Sequence, residues 1–91
     1  MTRHSIAAQL QQQIERNGEI AQSIFGTTSI QEIGALLNSY CKQQFEQEIA
    51  ACSFAYFSVG ATFVVRLSNR QQIVLKAYGD RHPLPNLIAS F

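Results

Sequence analysis

With 91 residues and a net charge of +1, the chain makes one small domain. Such a domain buries about two-thirds of its unfolded surface or less, and its scattered charges form no basic stripe for a nucleic-acid backbone, so no nucleic-acid partner is expected. The apolar share of 46% is that of an ordinary globular domain. No apolar run approaches the ~20 residues of a membrane span. The first nineteen residues lack an apolar signal region, so a cytoplasmic protein without membrane contact is expected. Cys41 and Cys52 are too few for a disulfide framework. They also lack the CxxC or Cys/His spacing of zinc sites, so they read as free thiols.

Composition shifts once, near residue 50, from glutamine-rich helical patterning to aromatic and β-branched patterning. Ile6, Leu10 and Ile14 recur every four residues behind a possible Ser5 cap, and Asn17-Gly18 is a stop signal, which predicts a thin amphipathic first helix. Its other faces carry Gln9, Gln11, Gln12 and Gln13, a composition suited to docking. A short turn over residues 19–25 ends at Gly26. Ser29 with Glu32 fits a capping box, and Ile30, Ile33, Leu37, Tyr40, Cys41, Gln44 and Phe45 then follow helical spacing. From Ala51 the period changes. CSFAYFS alternates loosely, ATFVVRL is rich in strand formers, and QIVLKAY follows the polar Ser68-Asn69-Arg70-Gln71. The prolines at 83 and 85 exclude regular structure nearby, and Asn86 is read as the cap of a final turn over 87–91.

The predicted class is therefore α+β: N-terminal helices over residues 1–49, a three-stranded antiparallel β-meander over 51–78, and an irregular tail over 79–91. Phe63, Val65 and Leu67 alternate with Val64, and Ile73, Leu75 and Ala77 alternate with Val74, so both faces of the sheet are apolar. One helix covers only one of them. The other requires the first helix, a second copy of the chain in a homo-oligomer, or a further C-terminal domain.

Lys76 is the one charged residue of its apolar strand. It reads either as a rim lysine in water or as a lysine whose stem packs along the sheet and whose ammonium meets a phosphate. If Asn69-Arg70 is a two-residue turn, Lys76 lies opposite Phe63, and a loop one residue longer or shorter puts it opposite Thr62 or Val64. Gly60, between the first two strands, permits a positive φ or a close backbone approach, and its plainer reading is a hairpin glycine. His4 and the Asp80/His82 pair read as solvated. Cys41 and Cys52 read as core, and Ser58 and Thr62 flank Gly60 without a GxSxG elbow. No catalytic or metal-ligating residue is assigned.

The order strand, glycine turn, strand, hairpin, then a strand ending in Val74-Leu75-Lys76 resembles the start of the small lobe in aminoglycoside phosphotransferase-like, kinase-fold enzymes, over residues 54–91. The resemblance implies that Lys76 contacts nucleotide phosphates, that residues 57–62 around Gly60 form the flap over them, and that Val74 lines the adenine pocket, with ATP as cofactor. It also implies that the helix glutamate pairing with the lysine, the catalytic Asp and Asn, and the metal-binding Asp fall beyond Phe91. On that reading the 91 residues contact nucleotide without a complete catalytic site, and a small-molecule phosphotransferase would need a longer protein. The other reading is a non-enzymatic domain that self-associates through its sheet and its glutamine-rich helix.

Overall fold

The computed structural model describes residues 5–58, 60–78 and 86–90. The first helix, α1 (Ile6–Phe25), opens at Ser5, whose side chain accepts the Ala8 N–H at 3.1 Å. It closes at Gly26, which sits at φ 73° and donates its N–H to the Gln22 carbonyl; a residue without Cβ takes that conformation freely. The helix breaks at the predicted Asn17-Gly18 stop. Asn17 leaves helical geometry (φ −136°, ψ 47°), and the helix resumes beyond it. Ala21, Ile24 and Phe25 are all buried past the kink, so tertiary packing supports the second helical segment.

Ser29 caps the second helix, α2 (Ile30–Phe45), by accepting the Glu32 N–H at 3.3 Å. The capping box is only half made, because the Ser29 N–H goes to Thr27 Oγ1 at 3.0 Å. Ile33, Leu37 and Cys41 are buried, and Ile30, Tyr40 and Phe45 are packed against the core. Gln44, read onto the same face, is exposed.

Four strands, β1 (Ile49–Phe57), β2 (Gly60–Leu67), β3 (Gln72–Tyr78) and β4 (Asn86–Ser90), follow as one antiparallel sheet in chain order. This is the predicted helices-then-meander class with one strand more. The final turn expected over 87–91 gives way to β4, whose Leu87 and Ala89 pair with Ala77 and Leu75 and pack on the core, while Ile88 points away. Five residues carry too little period-two signal to be read as a strand.

Between β2 and β3 the loop is Ser68-Asn69-Arg70. Arg70 donates its N–H to Leu67 O at 2.9 Å, Leu67 donates to Gln71 O at 2.8 Å, and Asn69 Oδ1 accepts the Gln71 N–H. Arg70 sits at φ 73°, the left-handed position of a three-residue hairpin loop. That loop sets the register, and Lys76 faces Thr62.

β1 carries two register shifts against β2, between Ile49 and Ala51 and between Cys52 and Phe54. The second leaves Ser53 as the extra residue and reverses the phase of the strand: Cys52 points inward, Phe54 and Tyr56 outward, Ala55 and Phe57 inward. Loose alternation in CSFAYFS is the sequence trace of this bulge.

All inward side chains of the sheet join residues of both helices in one buried cluster. Phe57 and Phe63 meet edge to face at 5.8 Å, and Phe25 of α1 stands 6.3 and 6.5 Å from them. Two polar ties position the layers: Asn38 Oδ1 accepts the Ile49 N–H at 2.8 Å, and Gln13 Oε1 accepts the Phe57 N–H at 3.1 Å. Both helices thus cover the same face. No helix among the described residues is long and apolar enough to cross a membrane.

Candidate functional site: the open face of the sheet

Among the described residues, none covers the face away from the helices. Its rows follow from the register: Phe54, Val64, Val74 and Ser90 form one, and Tyr56, Thr62, Lys76 and Ile88 form the next. Ala51, Arg66 and Gln72 lie beyond the first, and Gly60, Tyr78 and Asn86 beyond the second. Phe54 is 50% exposed, Tyr56 54%, Tyr78 41% and Ile88 46%. These four large groups belong to the face that the helices leave open.

The three residues singled out for nucleotide contact all belong to this face. Lys76 is exposed on β3, an interior strand with β2 and β4 on its flanks, so it is not an edge lysine. Val74, two residues earlier, shares its face and is half-buried in the neighbouring row. Gly60 lies diagonally from Lys76, beside Tyr78.

Gly60 has a reason of its own. A Cβ there would meet the Ala77 carbonyl oxygen at 2.8 Å and the Tyr78 ring at 3.0 Å, so close approach to β3 requires glycine. That contact with β3 accounts for the glycine without a ligand.

Arg66 is the second cation of the face, exposed on β2. It lines two shallow concavities, one with Ser68 and Arg70 and one with Ser53 and Gln72. Neither Arg66 nor the exposed aromatic pair was singled out from sequence. The Ser53 bulge that turns Phe54 and Tyr56 outward leaves only weak alternation as a signal, and Arg66 became informative once the register placed it on the face with Lys76.

Other candidate chemistry disperses. Cys41 and Cys52 are fully buried, and burial pushes both thiols up to about 11, so at neutral pH they are protonated and poor nucleophiles. Cys52 Sγ lies 3.2 Å from the Phe54 carbonyl oxygen and donates to it. His4, Asp80 and His82 lie outside the described residues. Ser58 donates its N–H to Gly60 O at 2.8 Å in the tight connection between β1 and β2. Among the described residues no three His, Cys, Asp or Glu side chains gather as metal ligands.

No family model matches the chain, and no curated protein or solved structure matches it.

Proposed function

We propose that the open face contacts a nucleotide, in the manner of a small lobe of the aminoglycoside phosphotransferase-like kinase fold. The observation that carries this reading is the shared placement of Lys76, Val74 and Gly60 on the one sheet face that the helices leave uncovered. Lys76 supplies a cation for phosphate oxygens, and the half-buried Val74 and Val64 supply an apolar shelf one row away for a base. Glu15, Glu19 and Glu32 sit on the helices, on the far side of the sheet from Lys76. The described residues place no helix carboxylate beside that lysine, so the proposed role is nucleotide contact through ATP phosphates. Phosphoryl transfer would need an aspartate and metal ligands from a longer protein.

Calorimetric titration of ATP with magnesium against wild type and Lys76→Ala tests it. Wild type binds, and the variant binds about tenfold more weakly, as loss of a charged hydrogen bond entails. Equal or absent binding in both removes the nucleotide reading. A second reading, self-association, draws on the exposure of Phe54, Tyr56, Tyr78 and Ile88.

A further inference from the structure

Arg66 and Lys76 stand on opposite sides of the Phe54–Val64–Val74 row. Thr62, the partner of Lys76, lies four positions before Arg66 on β2, so about 13 Å of extended strand lies between the two cationic rows. On the β1 side of this span Phe54 and Tyr56 are exposed and stacked, with ring centroids 6.4 Å apart and planes 19° from parallel. The pattern extends at each end: Tyr78 lies one row beyond Lys76, and Arg70 lies in the loop after Arg66.

A mononucleotide carries one base with its phosphates at one end. Placed on this face it engages one cation and one ring, leaving the second ring and the distant arginine unused. A single strand of nucleic acid carries several bases and several phosphates and so can engage both rings and both cations: Arg66 lies one row before Phe54, and Tyr56 and Lys76 share the row after it.

The whole-chain charge balance that argues against such a partner is a sum over both sides of the molecule. Resolved by face, the charges separate. No described strand residue of the open face is acidic: Glu15, Glu19 and Glu32 are on the helices, and Glu46 and Glu48 precede β1. Glu48 lies beside Ser68 at the arginine end.

We infer that the open face binds single-stranded nucleic acid, with Phe54 and Tyr56 stacking on bases and Lys76 and Arg66 contacting the flanking phosphates. This goes beyond the nucleotide reading and does not depend on it.

Fluorescence anisotropy of a labelled eight-residue oligo-uridylate or oligo-thymidylate with the full chain tests the inference, with a duplex and a heparin fragment as charge-only probes. Saturable binding to the single strands is expected, at least tenfold tighter than to either control. Phe54→Ala with Tyr56→Ala weakens it about tenfold or more, the scale of a lost base–aromatic stack. Arg66→Glu, which leaves the rings in place, weakens it as well, and Lys42→Ala on α2 changes nothing. For two phosphate contacts, raising salt from 50 to 200 mM lowers affinity about sevenfold. Circular dichroism melts establish that each variant is folded. No binding, undiminished binding by the folded aromatic variant, or heparin binding of equal strength overturns the inference. ATP binding that depends on Lys76 without any oligonucleotide binding also overturns it and leaves the nucleotide reading standing, whereas oligonucleotide binding without ATP binding supports this inference alone.

Discussion

Two glycines show how differently one residue type is used in this molecule. At Gly60 an added methyl would strike the Ala77 carbonyl oxygen at 2.8 Å, a backbone atom that cannot turn aside. At Gly34, inside α2, the same methyl would lie 3.9 Å from Leu10 Cδ1 and 4.0 Å from Ile6 Cγ2, ordinary contact between the helices. Gly60→Ala is therefore expected to cost about 1–3 kcal/mol through overpacking. Gly34→Ala is expected to add roughly 0.5–1 kcal/mol, since alanine is the better helix former. Denaturant unfolding of the two variants measures both, and a stabilised Gly60→Ala would contradict the close approach of β2 to β3. Gly60 could be singled out from sequence, but which of its two uses applied could not, because the oxygen it avoids lies seventeen positions along the chain.

Among the elements, α2 ends on an unusual residue. Glu46 occupies the left-handed position at φ 58° and donates its N–H to Lys42 O at 3.0 Å. A side chain with Cβ is strained there, and a carboxylate at a helix C-terminus opposes the helix dipole. Glu46→Gly is expected to raise stability by about 1 kcal/mol, with Glu46→Gln recovering only the smaller electrostatic share. Thermal melts of the pair separate the two causes, and a destabilised glycine variant would count against the left-handed cap. Local signals were sound where neighbours in sequence decide structure, as at the Ser29 cap and in the alternation of β2 and β3. They failed where distant contacts decide. The Ser53 bulge reversed the phase of β1. Arg70, a non-glycine in left-handed geometry, concealed the loop length that puts Lys76 opposite Thr62. The candidate site was legible as single residues, Lys76, Val74 and Gly60, but its aromatic half was hidden with the bulge.

In the molecule as a whole, both helices seal one face of the sheet, and the described residues leave the other open. The sequence showed that both faces are apolar, and the structure assigns both helices to the same one. If the open face pairs with a second copy, sedimentation of the chain will show a concentration-dependent dimer that Phe54→Ser with Tyr56→Ser dissociates. A monomer at every concentration would count heavily against self-association. Lys76 in the middle of the face opposes a centred stack on an identical partner, because like charges would meet.

Every strand lies beside its predecessor, β1-β2-β3-β4, with no crossover. The chain can therefore add each strand as it leaves the ribosome, closing short loops rather than long ones, which favours rapid folding. Until β4 arrives, the outer edge of β3 is bare, and those intermediate moments are when a nascent copy is most exposed to aggregation.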